Sequence, residues 1–424
     1  MILLWLYARL ATLATLLLRL HLRRRVAAGR EIAERVGERR GIDPTPRPAG
    51  ILIWLHAASV GETLSILPVI EALLRTPTLS VLVTSGTRTS AELLSARRYD
   101  LAGGERVLHR FVPLDVPAWT RRFVDHWRPN VAGFVESELW PNLLLACADN
   151  GIPLMLVNAR LSERSFRGWQ RAGGVAGRLL SLFAAVQAQT EADGGRLSRL
   201  GATRVACPGN LKFAAAPLPF NLAELNRLGD VLIDRPVWLA ASTHPGEEAL
   251  IATVHRRLAV AHPGLVTILA PRHPERGAAI AAELGGITLT RRGLQQDPPT
   301  GGIWLADTIG ELGMLYRLAP IVFVGRSLRV GGGQNPIEPA RLGCAVAVGP
   351  RTENFAEAVA VLKACGALMV VEDAEALGRW VDAMLRDPML RQATGQAGIA
   401  ATQRAAQLPA EVAAILLSLI GATA

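Results

Sequence analysis

The sequence predicts an α/β chain built from two doubly wound parallel sheets in series, facing one another over a cleft and preceded by an apolar helix. Three observations point there. Short β-branched or apolar runs alternate with helix-length segments along most of the chain, the pattern of βαβ units. The alternation breaks once, in a Pro-bounded stretch at residues 214–236, and then restarts. Half of the residues are apolar, aromatics make up only 5%, and glycine is abundant, as expected of buried parallel strands covered by helices on both faces.

With 424 residues the chain is long enough for two domains with separate cores. Its formal net charge is +10, and of 46 basic residues only Lys212 and Lys363 are lysines. Biased codon usage accounts for such an arginine excess, and it makes the two retained lysines worth following. Four cysteines (Cys147, Cys207, Cys344, Cys365) show no CxxC or paired spacing, which fits a reducing compartment and argues against a disulfide framework. The eight histidines form no HExxH-type cluster, so neither a metal site nor a cofactor is expected.

The first 25 residues, MILLWLYARLATLATLLLRLHLRRR, differ in kind from the rest. A secretory signal carries its positive charge before the apolar run, whereas this segment begins apolar and ends in Arg23, Arg24 and Arg25. Spanning a bilayer takes about 20 apolar residues. Arg9 and Arg19 interrupt this run, and an arginine near mid-membrane costs roughly 2.5–3.5 kcal/mol. The segment reads as an anchor helix at the inner membrane that either lies in the interface or spans it; a buried core helix is the plainer alternative. In either membrane reading the arginine triplet faces the cytoplasm and anionic lipid. Residues 26–50, with Pro44, Pro46 and Pro48, read as a linker.

The first domain is expected over residues 51–213, with strands in ILIWLHA, SVLVTSG, RVLHRFV, NVAGFVES, PLMLVNA, AAVQAQT and RVACPGN. Ligands of open parallel sheets bind beyond the carboxyl ends of strands, and the polar clusters HAASVGE, ESELWPN and GNLKF fall there. In the first turn, where a nucleotide-binding unit offers glycines to a phosphate, Glu62 follows Gly61. As a first-turn acid it is favoured by the helix dipole, which would lower its pKa and keep it ionised. An ionised carboxylate on that turn, with His56 and Ser59 close by, can also accept a proton from an incoming hydroxyl. Glu136 and Glu138 follow an apolar strand, with Trp140 just after. A carboxylate there is either a helix-capping acid or a desolvated charge that steers or stabilises developing positive charge. Lys212 offers a compact ammonium to an anionic donor or leaving group, chance placement being the alternative.

Residues 214–236 are expected to connect to a second domain over 237–424, with strands in VWLAAST, LVTILAP, ITLTRR, GIWLADT, IVFVGRS, AVAVGP and LMVVED. Its clusters are ASTHPGEE, PRHPER, DTIGEL and GGGQNPIEP. Gly331, Gly332 and Gly333, ahead of Pro336 in a first helical turn, make the most phosphate-like stretch, or a plain loop. Glu338 suits a ribose hydroxyl, or is a dipole-complementing surface acid. Arg272 is a planar fork for a carboxylate, phosphate or base edge, or a solvated surface residue. DTIGEL alone reads as a helix start capped by Asp307 or Thr308.

Taken together and in order, HAASVGET, ESELWPNL, NARLSERS, GNLKF, STHPGEE, PRHPER, DTIGELGMLY and GGGQNPIEPA resemble the bacterial 3-deoxy-D-manno-octulosonic acid (Kdo) transferases of lipopolysaccharide biosynthesis. The resemblance runs from the N-terminal anchor to about residue 373, and the arginine excess and the small residues of HAAS depart mildly from it. It implies an inverting glycosyltransferase of the two-Rossmann GT-B architecture, the first domain serving the acceptor and the second the CMP-sugar donor. CMP-Kdo is the implied donor and a lipid A precursor (lipid IVA) the implied acceptor, with no metal for donor binding and no nucleic-acid partner. By the same resemblance Glu62 matches the proton acceptor, and Glu136 and Lys212 match transition-state stabilisers. Pro271, Arg272, Ile309, Gly310, Glu311, Asn335, Pro336, Ile337 and Glu338 match CMP-contacting positions. Two rival readings are another GT-B enzyme using a UDP-sugar on a lipid-linked acceptor, and a binding module without turnover.

Overall fold

The computed structural model describes residues 2–172, 174–214, 218–329 and 331–421. They divide into two compact units, one of residues 1–215 with 405–424 and one of residues 216–404. Each unit holds one seven-stranded sheet.

In the first unit the strands are β1 (Ile51–His56), β2 (Leu79–Ser85), β3 (Val107–Phe111), β4 (Val131–Val135), β5 (Leu154–Ala159), β6 (Phe183–Ala188) and β7 (Val205–Ala206). They pair in the order β3-β2-β1-β4-β5-β6-β7, all parallel. The central strands bury both faces, which explains why their sequences run apolar without alternation. Trp54, Trp127, Phe134 and Phe183 fill the core, and the Trp54 indole N–H donates to Thr84 Oγ1 at 2.9 Å.

The second unit contains β8 (Val237–Thr243), β9 (Val266–Pro271), β10 (Leu289–Arg291), β11 (Gly302–Leu305), β12 (Ile321–Val324), β13 (Ala345–Val348) and β14 (Leu368–Val370). Its order is β10-β11-β9-β8-β12-β13-β14, again parallel throughout. Every strand expected from the sequence forms. In the first sheet the chain winds outward from β1 through β2 to β3 and then returns to build the other side. In the second it runs from β8 to β9, crosses to the edge at β10, steps back to place β11 between them, and returns to β12. The reversal falls between β1 and β4 in one sheet and between β8 and β12 in the other, and such reversals open the crevices in which ligands bind.

Four expectations about the ends and joints are corrected. The single N-terminal helix is two helices, α1 (Ile2–Leu13) and α2 (Thr15–Ala27), bent by 57°. At the break the Thr15 hydroxyl bonds the Thr12 carbonyl at 2.6 Å, a side-chain bond that competes with the helix ladder. Residues 26–50 are not a free linker. Glu31 and Arg39 are buried in them, and the Arg39 guanidinium donates to the Gly86 carbonyl at 2.7 Å while facing the Phe111 ring at 4.6 Å. This charge pair straps the segment to the ends of β2 and β3, and losing one partner of such a buried pair costs about 3–5 kcal/mol.

Residues 214–236 are not merely a connection either. Leu222–Val231 is a helix of the second unit, capped by the Asn221 side chain and burying Leu228 completely. Finally, the second unit does not continue to residue 424. Helix Leu408–Gly421 returns to the first unit, where it packs on β4 and on α3 (Val60–Leu74) and buries Leu408, Val412 and Leu416. Gly133 in β4 lies beneath it and makes room for Leu55 of β1: a Cβ there would lie 2.8 Å from Leu55 Cδ2, and at ordinary contact distance, 3.6 Å, from Leu416 Cδ2.

Candidate active site

The turn from β1 into α3 is closed by its own side chains. Ser59, extended at the N-cap, accepts from the Glu62 N–H at 3.3 Å. Glu62 answers with both oxygens, taking the Ser59 hydroxyl at 2.7 Å and the Ala58 N–H at 2.8 Å. This is a variant of the capping box, in which the acid of Ser-Val-Gly-Glu reaches the N–H one residue before the N-cap. The Glu62 carboxylate therefore occupies the helix start where a phosphate would otherwise sit. The turn is pinned to β2 by Ala57 N–H to Thr84 O at 2.9 Å and Gly86 N–H to Ala58 O at 3.0 Å. Glu62 is only 8% exposed, and its pKa is raised. Burial pushes it up against its two hydrogen bonds, and the charges of Glu136 and Glu138 push further. The dipole-lowered pKa expected from sequence is thus corrected: desolvation outweighs the helix start.

The end of β4, across the strand reversal, supplies the other charges. Glu136 takes a left-handed backbone (φ 57°), its N–H donating to Val157 O at 3.0 Å. Its carboxylate pairs with Lys212 Nζ at 2.6 Å, the lysine lying on the turn Leu211–Ala214. Trp140 partners Glu138 rather than Glu136, donating its indole N–H at 2.5 Å. His56 Nε2, fully buried at the end of β1, lies 3.5 Å from the same Glu138 oxygen. Burial alone would raise the Glu138 pKa, but His56 and the indole outweigh it and hold the carboxyl below its ordinary range. The sequence offered both acids beside Trp140 and the resemblance singled out Glu136; it is Glu138 that the indole holds. The first unit thus brings Glu62, Glu136 and Lys212 to one strand reversal and adds Glu138 and His56 to them.

The positions expected to contact CMP lie at strand ends of the second unit. Pro271 closes β9 and is buried, while Arg272 is exposed and anchored by its N–H to Thr243 O at 3.0 Å. Asn335 Oδ1 accepts the Ile337 N–H and its Nδ2 donates to Glu338 Oε1, both at 3.1 Å. Pro336 stands just before the short helix Ile337–Arg341. Burial raises the Glu338 pKa, opposed by the Asn335 hydrogen bond and by the Arg272 charge. These residues form one group.

Ile309, Gly310 and Glu311 belong to another strand end, after β11, where Ile309 and Glu311 line a shallow hollow of about 620 Å³ with Pro274, Glu275, Asp307 and Thr308. Ile309 is 86% exposed, and Glu311 is held by Arg292 at 2.9 Å and by the Thr308 hydroxyl. Asp307 is not the expected helix cap: it takes Arg291 at 2.6 Å and the Gly293 N–H at 2.7 Å.

The glycine run is less open to a phosphate than its sequence suggests. Gly332 N–H is bound by Glu353 at 2.6 Å and Gly333 N–H by Arg326 O at 2.9 Å. Sequence reasoning also missed Glu247, which is fully buried and accepts four backbone N–H groups, from His244, Arg326, Ser327 and Leu328, at 2.7–3.0 Å. It ties the ends of β8 and β12 together at the second reversal. Its signal was the first acid of HPGEE.

Residues 31–215 match the family model described as 3-deoxy-D-manno-octulosonic-acid transferase (kdotransferase). The chain is 35% identical to the 3-deoxy-D-manno-octulosonic acid transferase of Haemophilus influenzae over 376 residues, 86% of either protein. It is 37% identical to that of Bordetella pertussis over 368 residues, 84% of this chain and 85% of the relative. A glycosyltransferase structure from Rickettsia africae superposes with a TM-score of 0.52 at 13% identity, covering 87% of this chain and 99% of the other, a likeness of fold. With such identity along most of both proteins, the chain belongs to the Kdo transferase family of glycosyltransferases, on the GT-B fold.

Proposed function

We propose that this protein transfers Kdo from CMP-Kdo to a lipid A precursor such as lipid IVA, inverting the anomeric carbon, with Glu62 as general base. The observation that carries this reading is a buried carboxylate of raised pKa at a strand reversal, beside the Glu136–Lys212 ion pair. A base works best when its pKa approaches the operating pH, and burial moves Glu62 in that direction. In the reaction the acceptor hydroxyl oxygen forms the bond to the anomeric carbon and gives its proton to Glu62. The bond from that carbon to the phosphate oxygen breaks, its electrons leaving with CMP. The transition state resembles an oxocarbenium ion. Glu136 suits its positive charge and Lys212 the negative charge on the departing side. The second unit is read as the donor side, with Arg272 and the Asn335–Glu338 group gripping the nucleotide.

The inner membrane is the proposed location, with the catalytic units on the cytoplasmic side. The support is chemical: α1 and α2 expose Ile2, Leu3, Trp5, Leu6, Leu10, Leu13, Leu16 and Leu17, with Arg23 and Arg24 exposed at the end of α2. Together the two helices are long and apolar enough for one bent span. Their apolar surface suits acyl chains and their arginines anionic headgroups, at about 1 kcal/mol per basic residue. The test is direct. CMP-Kdo and lipid IVA are incubated with the protein, and the product mass and released CMP are measured beside a CMP-versus-UDP binding competition. Transfer with preference for CMP supports the reading. Absence of transfer, or preference for UDP, overturns it.

A further inference from the structure

We propose that three buried amides, Asn158, Gln189 and Asn210, position Lys212 against Glu136. The inference rests on the role just given to that pair. The three side chains come from consecutive strand ends of the first unit and are 2%, 5% and 7% exposed. They form a relay. Asn158 Oδ1 accepts the Leu211 N–H at 2.9 Å, and Asn210 Oδ1 accepts the Lys212 N–H at 2.9 Å. Asn210 Nδ2 donates to Gln189 Oε1 at 3.2 Å, and Gln189 Nε2 donates to the Asn158 carbonyl at 3.0 Å. The Glu136 side of the pair is held from the same place, since its N–H binds the carbonyl of Val157. Residues 157 and 158 therefore set the separation of the two charges. They fasten Glu136 through a main-chain oxygen and the lysine turn through a side-chain oxygen.

Asn158 suits this task for two reasons. Its backbone is left-handed (φ 52°), a conformation that asparagine tolerates better than most residues. Its amide oxygen reaches the turn. Its Nδ2 is buried without a partner among the described residues, a burden of about 1–3 kcal/mol that an apolar side chain would avoid. Retaining an amide here thus trades stability for the placement of Lys212.

Two lysines in the whole chain make the test selective. Reductive ¹³C-methylation labels Lys212, Lys363 and the α-amine, and Lys212→Arg assigns the Lys212 signal. The Lys212 signal is expected to shift in Glu136→Gln and likewise in Asn158→Gly, which keeps the backbone and loses the oxygen, while Lys363 stays in place. In unmethylated enzyme Asn158→Gly is expected to lower kcat about tenfold, the effect of roughly one hydrogen bond, with the donor KM unchanged. Where Asn158→Gly does not fold by circular dichroism, Gln189→Met, which breaks two links of the relay, carries the same expectations. A Lys212 signal unmoved in the folded variant, or a donor KM that rises while kcat holds, overturns the proposal. Should Lys212→Ala turn over like the wild type, the role of Lys212 in transfer fails, while the methyl signals still report whether the relay holds it.

Discussion

Replacing Glu62 by glutamine separates the chemistry of this carboxylate from its structural work. The side chain accepts two hydrogen bonds, at 2.7 and 2.8 Å. Glutamine can keep the Ala58 N–H with its oxygen and donate its NH₂ to the Ser59 hydroxyl, so two charge-assisted bonds of about 1.5–3 kcal/mol become neutral ones of about 0.5–1.5 kcal/mol. Against that loss stands relief from a buried charge disfavoured by burial and by Glu136 and Glu138. The net change in stability is expected within about 2 kcal/mol, a melting shift of a few degrees. Turnover is expected to fall by about 10²–10⁴-fold, the usual effect of losing a positioned base. That is ~2.7–5.5 kcal/mol of barrier, well beyond the stability change.

The pH dependence adds a second signature. Because the folded pKa of Glu62 is raised, its contribution to stability is full below the unfolded value and is lost as pH rises through the folded one. The variant lacks that loss, so the stability difference moves in its favour as pH rises from the unfolded pKa through the raised folded one. The assay pairs Kdo transfer, followed by product mass, with CMP binding by calorimetry and thermal melting across pH. A folded, CMP-binding variant whose turnover stays within about threefold of wild type would refute the base assignment.

Three further outcomes are expected. Glu138→Gln removes one charge that raises the Glu62 pKa, so the acid limb of the kcat profile moves to lower pH; a limb that stays or rises contradicts the coupling. Leu416→Ala, at a fully buried position on the returning C-terminal helix, destabilises the protein by about 2–5 kcal/mol in denaturant unfolding, and a loss near zero argues against that docking. Changing Arg23 and Arg24 to glutamine weakens sedimentation with anionic vesicles by about 1 kcal/mol per residue and leaves binding to neutral vesicles unchanged; equal loss on both lipids would point to apolar contact alone.

The sheets were legible because a buried parallel strand must be apolar on both faces, and runs such as ILIWLH and VAGFV fit little else. Glu62 was legible because an acid after Gly61, in the first turn from strand to helix, stands where a phosphate would otherwise be bound. The direction of its pKa was not, since that depends first on burial in the folded sheet and then on Glu136 and Glu138, which the tertiary fold brings near. Nor did local pattern show the Arg39 strap, where prolines suggested a linker and the partners lie at residues 31, 86 and 112. The last helix was missed for a related reason: its apolar face reads the same whichever unit it covers. Asn158, Gln189 and Asn210 each look like ordinary strand-end residues, and only their mutual hydrogen bonds mark them.

The return of residues 405–421 to the first sheet has a consequence for biosynthesis. Domains generally fold in order as they emerge from the ribosome, yet the sheet that bears Glu62 lacks Leu408, Val412 and Leu416 until the entire second unit has been made. Through most of translation it leaves an apolar groove over Gly133 uncovered, a natural foothold for chaperones. A nascent chain released early would carry the first unit unfinished, so completion of that unit doubles as a check on synthesis of the other.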